Sequence, residues 1–130
     1  MEDFNKKKNQ MKISCLTRWL RLNQSGIHIE DLLRQSGYNR IAIYGFCEIA
    51  MCLVYELQNT TTEVVCILDR KGEEIPFAYP CYHPNEVGKM DIDAVIVTPV
   101  DDIKEIKKVL IPLVKKGVDI VSIEDVLYEL

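Results

Sequence analysis

The sequence predicts a three-layer α/β protein, with a parallel sheet of about four strands between helices and two extra helices preceding it. Short apolar, β-branched runs alternate with amphipathic helical segments along most of the chain. At Gly45 the apolar period changes from that of a strand to that of a helix. A second strand, Glu63–Leu68, then completes a βαβ unit, whose crossover predicts parallel strands.

Length and composition indicate one globular domain. The chain has 130 residues, of which 48% are hydrophobic and 28% charged. No apolar run is long enough to cross a membrane, and the first residues lack a leader pattern, so we expect a cytoplasmic protein with no membrane partner. We divide the chain into a flexible segment 1–10, a helical pair 11–37 and an α/β domain 38–130.

The cysteine content and the distribution of charge indicate the redox state of the thiols and the kinds of partner that the protein can bind. The five cysteines are odd in number and lie mostly within apolar patterns, which favours reduced, buried thiols. Residues 1–40 hold eight Lys or Arg against four Asp or Glu, whereas residues 41–130 hold eight against sixteen. The basic segment lacks interleaved aromatics and a groove-reading motif, so we expect no nucleic acid partner.

Two helices are predicted before the central unit. In the first, residues 11–22, Ile13, Leu16 and Leu20 repeat on one face and should pack on the sheet or on a second copy of the chain. A homodimer through these N-terminal helices is therefore an expectation. The second helix, residues 28–35, turns Ile29, Leu32 and Leu33 inward and ends at Gly37.

The central unit runs from the strand Arg40–Tyr44 through Gly45 and a helix to the strand Glu63–Leu68. Asp69 follows the second strand, 24 residues after Gly45, close to the spacing of the acid that binds an adenosine ribose. A turn residue is the alternative for Asp69. Arg70 beside it could accommodate a 2′-phosphate, which leaves NAD and NADP equally open.

The segment 71–90 is irregular and rich in proline. It predicts an extended piece at 75–79 and a brief helix at 85–89. Cys81 and His83 can bind metal, but without a second pair at ligand spacing we predict no metal site.

The last third of the chain returns to regular alternation. A buried strand at 94–98 precedes an amphipathic helix at 101–116, in which Pro112 should introduce a kink and after which Gly117 ends the helix. The predicted inward residues of this helix are Ile103, Ile106, Val109, Leu110, Leu113 and Val114. A fourth strand at 118–121 leads to a final helix at 123–130, capped by Ser122.

Right-handed crossovers then predict the strand order 2-1-3-4. The order reverses between the first strand and the strand at 94–98. The turn at Gly45 and the loop 98–102 should therefore face one another across a crevice at the carboxyl ends of the strands, where parallel α/β proteins bind ligands.

The glycine turn itself departs from a dinucleotide-binding motif. A GxGxxG frame laid on Gly45 keeps the first glycine, places Cys47 at the second and Ala50 at the third. The Cys47 side chain would occupy space that a pyrophosphate needs, and Glu48 places a carboxylate at the positive end of the helix dipole. Anion binding should therefore be weakened, and we expect Cys47 to be an unreactive lining of the pocket.

The segments YGFCEIA, VVCILDR, IPFAYP, AVIVTP and VDIVSIEDVLYEL resemble the small Rossmann-like domains of bacterial nucleotide-sugar and surface-polysaccharide proteins. Similar proteins include nucleoside-diphosphate-sugar epimerase-like domains, N-terminal domains of sugar acyltransferases and CoA-binding domains. The resemblance covers about residues 38–130. It implies a nucleotide-type ligand, either a nucleotide-sugar, NAD(P) or CoA. The implied binding residues are Gly45, Phe46, Cys47, Glu48, Asp69, Arg70, Thr98 and Pro99.

Three functions follow from this resemblance and from the residues. The first is a nucleotide-binding module in polysaccharide or nucleotide-sugar metabolism. A decayed site in a protein-interaction or oligomerisation domain is the second, and a subunit of a nucleotide-sugar-modifying enzyme is the third. The chain supplies one half of a dinucleotide fold, and none of Tyr44, Tyr55, Tyr79 and Tyr82 has a Lys four residues on, so no catalytic residue is predicted.

Overall fold

The computed structural model describes residues 2–70 and 79–129, which form one parallel sheet with helices on both faces. The strands are β1 (Arg40–Tyr44), β2 (Glu63–Leu68), β3 (Cys81–Tyr82), β4 (Ala94–Val97) and β5 (Asp119–Ser122). The α-helices are α1 (Glu2–Gln24), α2 (Ile29–Gln35), α3 (Glu48–Leu57), α4 (Ile103–Leu110) and α5 (Ile123–Glu129), and a 3₁₀ helix spans Pro84–Lys89. The predicted α/β class and parallel sheet are confirmed.

The predicted strand count and order are wrong for the sheet as a whole. Within the described residues the sheet has five strands in the order β3-β2-β1-β4-β5. The added strand, β3, pairs with β2 through Ile67 opposite Cys81 and Leu68 opposite Tyr82. A two-residue strand beside Pro80 carries no periodic signal, and only its hydrogen bonds to β2 define it. The predicted extended piece at 75–79 lies outside the described residues except for Tyr79.

Alternating side chains of the strands build a separate apolar layer on each face of the sheet. Ile41 and Ile43 of β1 pack with α1, α2, α3 and α5 on one face. Ala42 and Tyr44 point to the other face, where α4 and the 3₁₀ helix cover them. All four side chains are at most 6% exposed, as expected for a strand that is covered on both faces.

Helix α1 buries a different face from the one predicted, and it begins at Glu2 instead of residue 11. Cys15 and Trp19 are buried, whereas Ile13, Leu16 and Leu20 are 63%, 36% and 58% exposed. The helix carries two apolar stripes, and a hydrogen bond from Trp19 Nε1 to Glu56 Oε1 of α3 (2.7 Å) fixes which one faces the core.

Helix α4 is shorter than predicted. It ends at Leu110, two residues before Pro112, because Pro112 has no amide to donate to the carbonyl of Lys108. Val109, predicted to face inward, is 47% exposed, while Ile106 and Leu110 are buried.

The other predicted termini agree more closely. Ile29, Leu32 and Leu33 of α2 are buried, and Gly37 after that helix adopts a φ of +83°. At the start of α5, the Asp125 amide donates to Ser122 Oγ at 3.0 Å, as the predicted cap requires. Among the described residues, the structure contains no helix with the length and hydrophobicity needed to span a membrane.

Candidate ligand-binding site

The carboxyl ends of β1, β2 and β4 lie side by side, and backbone hydrogen bonds fix the loops that leave them. The Gly45 amide donates to Leu68 O at 2.8 Å. The Thr98 amide and its Oγ1 both donate to Tyr44 O, at 3.1 and 2.8 Å. The residues that follow the three strands, Gly45, Asp69 and Thr98, are thereby brought to one edge of the sheet.

The base of the predicted crevice is closed, because the two loops that should face one another are in contact. Gly45 has a φ of +92°, and a Cβ built on it would lie 2.9 Å from two carbons of the Pro99 ring. The Cys47 thiol lies 3.4 Å from Thr98 Oγ1. Protein atoms therefore take up space at the turn where a phosphate approaches the backbone in a glycine-rich motif.

A cavity of about 320 Å³ opens above this contact. Six of the eight predicted residues line it, namely Gly45, Phe46, Cys47, Asp69, Arg70 and Pro99. The other two do not: Thr98 is fully buried beneath the cavity, and Glu48 lies on the exposed surface in the first turn of α3. The volume is at the low end of the range for small-molecule sites.

Five lining residues were not among the predicted binding residues. They are Lys8, Tyr44, Asp101, Asp102 and Ile106. The loop 98–102 was predicted to face the crevice, so the two aspartates had a sequence signal. Lys8 had none, because it belongs to a lysine run in a segment predicted to be flexible. It reaches the crevice because the amino-terminal part of α1 lies beside the loop that follows β4.

The cavity has an uneven distribution of charge. Asp69, Asp101 and Asp102 provide three carboxylates, and Lys8 and Arg70 provide two cations. Lys8 Nζ lies 3.5 Å from Asp101 Oδ2, and these side chains are 38% and 17% exposed. The charged groups thus sit at the mouth of the cavity in partial contact with water.

Tyr44 also lines this cavity, and its phenol interacts electrostatically with the same charged groups. Burial raises the pKa of its phenol, Arg70 opposes that rise, and the carboxylates of Asp69 and Asp102 reinforce it. The phenol therefore stays protonated and can act as a hydrogen-bond donor to a ligand at neutral pH.

The amino terminus of α3 is poorly suited to hold a phosphate. Cys47 is its N-cap residue and forms no side-chain capping bond to the helix. Glu48, in the first turn, places a carboxylate at the positive end of the helix dipole. Because Glu48 offsets the helix dipole and Pro99 fills the turn at Gly45, any anion in the cavity must be neutralised by side chains.

Cys81 and His83, the two residues considered as metal ligands, have different structural roles. Cys81 belongs to β3, whereas His83 caps the 3₁₀ helix by accepting a hydrogen bond from the Asn85 amide at its Nδ1 (3.1 Å). Within 2–70 and 79–129, no three His, Cys, Asp or Glu side chains are grouped so as to hold a metal ion.

No protein-family model matches this sequence, and comparisons with curated proteins and with solved structures found no match.

Proposed function

We propose that this chain is a nucleotide-binding module whose ligand, a nucleotide-sugar, NAD(P) or CoA, occupies the cavity at the carboxyl ends of β1, β2 and β4. The observation that carries the proposal is the position of Asp69. Asp69 follows β2, lies next to the Gly45 turn of the neighbouring strand and lines the cavity. A carboxylate in this position can accept hydrogen bonds from both hydroxyls of a ribose. The resemblance to nucleotide-sugar and polysaccharide proteins supports the same ligand class.

A thermal-shift screen of the purified chain tests the proposal. The panel contains NAD, NADH, NADP, CoA, ATP and sugars linked to UDP, GDP and CDP. A ligand at 100 times its dissociation constant adds about 2.7 kcal/mol to the free energy of unfolding, or about 10 °C for a domain of this size. A folded protein whose melting temperature is unchanged by every compound would refute nucleotide binding.

Asp69→Ala tests the role of the carboxylate. We expect the variant to bind the confirmed ligand about 10- to 150-fold more weakly, because a hydrogen bond to a charged acceptor contributes about 1.5–3 kcal/mol. Asp91→Ala is the matched control, since Asp91 lies at the amino end of the sheet with its side chain 93% exposed. Calorimetric titrations showing equal affinity for Asp69→Ala and the parent protein would remove Asp69 from the site.

The exposed stripe on α1 favours a second function, a homodimer through this helix. Ile13, Leu16 and Leu20 have the spacing of a coiled-coil seam, and all three face solvent. Asn9, Thr17 and Gln24 on this side of the helix are uncharged, whereas Lys6 and Lys12 border the stripe near its amino-terminal end. We assign the stripe to another copy of this chain because pairing two such helices buries the apolar seam of both.

Sedimentation of the purified protein tests this second function. We expect the parent chain to sediment as a dimer and Leu16→Glu/Leu20→Glu as a monomer, because carboxylates in the seam would be desolvated on association. Ile111→Glu, which changes a 63% exposed residue next to α4, should remain dimeric. A parent chain that stays monomeric at every concentration would refute the dimer.

A further inference from the structure

A second cavity adjoins the candidate site on the side of α1. It measures about 560 Å³ and lies between α1 and the beginning of α4. Phe4, Lys7, Lys8 and Met11 form its wall on α1, and residues 100–105 form the opposite wall. Lys8, Asp101 and Asp102 line both cavities, so the charged group on α1 stands where the two meet.

The chemistry of the second cavity differs from that of the first. Phe4, Met11, Val100 and Ile103 give it apolar surface, Lys7, Lys104 and Glu105 add charged groups, and the carboxylates of Asp101 and Asp102 stand at the junction. Carboxylates accept hydrogen bonds from hydroxyl groups, while apolar side chains cover the C–H faces of a ring. This combination suits a sugar better than a second nucleotide base.

Lys8 lines both cavities and can neutralise an anion that lies between them. The turn at Gly45 is filled by Pro99, and Glu48 occupies the positive end of α3, so neither can neutralise a diphosphate. Among the residues lining the first cavity, the cations are Lys8 and Arg70. The contact between Lys8 and Asp101 is long, at 3.5 Å, and partly exposed to water, so an anion can replace Asp101 at low cost.

We propose that the ligand is a nucleoside diphosphate sugar, with its diphosphate held by Lys8 and Arg70 and its sugar in the cavity between α1 and α4. This inference rests on the proposed nucleotide-binding function and narrows its ligand class. The nucleoside lies toward Asp69, and Asp101, released from Lys8, accepts hydroxyls of the sugar together with Asp102. Helix α1 is thus part of the binding site, and Lys8 replaces the phosphate-binding backbone that the turn lacks.

Calorimetric titration of the full chain tests the role of Lys8. The probes are UDP-glucose and GDP-mannose, each beside its free diphosphate, UDP or GDP, and beside NAD and CoA. We expect a nucleoside diphosphate sugar to bind more tightly than NAD or CoA, and Lys8→Gln to weaken its binding by about tenfold or more. Lys6→Gln removes the same charge from an exposed position on α1 outside both cavities and should change affinity less than about twofold.

A second pair of variants tests the sugar subsite. Phe4 lines the cavity and Ile111 does not, yet both are 63% exposed, so truncating either should leave the fold intact. We expect Phe4→Ala to weaken binding of the diphosphate sugar severalfold while leaving the free diphosphate unaffected, and Ile111→Ala to alter neither.

The outcomes separate the two proposals. Nucleotide binding that depends on Asp69 but is unchanged by Lys8→Gln would overturn this inference and leave the nucleotide-binding function standing. Tighter binding of NAD or CoA than of both diphosphate sugars would do the same. Failure of every nucleotide to bind the parent chain would overturn both.

Discussion

Gly45 combines a backbone angle that favours glycine with a neighbour that excludes a side chain. Its φ is +92°, and Pro99 lies 2.9 Å from the position of a Cβ. The glycine expected to supply a tight turn also makes room for a proline ring. At this position the sequence identified the residue correctly, but the contact that requires it comes from a loop more than fifty residues away.

We expect Gly45→Ala to lower the free energy of unfolding by about 2–4 kcal/mol, because the left-handed conformation and the clash with Pro99 both act against the new side chain. Gly26→Ala is the control, since Gly26 has a φ of +80° but nothing within 4 Å of its Cβ position. That variant should lose about 1–2 kcal/mol, from the backbone angle alone. Urea denaturation measures both, and equal losses would show that the contact with Pro99 has no energetic weight.

Among the elements, one carboxylate of α3 connects both N-terminal helices to the sheet domain. Glu56 of α3 accepts hydrogen bonds from Trp19 Nε1 and Asn23 Nδ2 at 2.7 Å each, and from the Ile29 amide at 2.8 Å. Trp19 is 5% exposed and so has little access to water as an alternative partner. The orientation of α1, and with it the position of Lys8 at the crevice, depends on this cluster.

Glu56→Ala should therefore lower the free energy of unfolding by about 3 kcal/mol, because it leaves buried donors without an acceptor. Glu63→Ala is matched in chemistry but removes a surface ion pair with Arg40 and should cost less than about 1 kcal/mol. Urea denaturation followed by the fluorescence of Trp19, the single tryptophan of the chain, compares the two variants. Equal effects would contradict the role of Glu56.

For the molecule as a unit, two buried thiols and one partly buried phenol make the stability fall in alkaline solution. Burial raises the pKa of Cys15 from 9.0 to about 12 and that of Cys66 to about 11, while burial and the bond to Asp119 raise the pKa of Tyr38 from 10.0 to about 12. The folded state therefore retains protons that the unfolded chain releases. Linkage makes the free energy of unfolding decrease as pH rises from about 9 toward 12, with little contribution from these groups below pH 9.

Urea midpoints measured at intervals above pH 8 test this dependence. We expect a progressive decrease above about pH 9, with a shallower slope in Cys15→Ala, which lacks one of the titrating groups. Ser14→Ala, a substitution at the exposed neighbouring position, should keep the slope of the parent chain. A Cys15→Ala slope equal to that of the parent would show that this thiol does not contribute.

Whether an element could be predicted depends on how far apart in the sequence the residues that define it lie. Strands β1, β2 and β4 and helix α3 carry their periodicity within a few residues, so the sequence alone indicated them. Strand β3 has two residues and is defined by pairing with β2, which no local pattern reveals. The buried face of α1 was predicted wrongly because two stripes were available locally, and Glu56 selected between them.

Residue types at short spacing are enough to predict the α/β class, the glycine turn and the acid after β2. Tertiary structure decided that Pro99 closes the base of the crevice and that Lys8 enters it. It also decided which apolar stripe of α1 remains exposed. These features depend on contacts between segments distant in the chain, whose positions follow from the packing of the complete core and not from any local period.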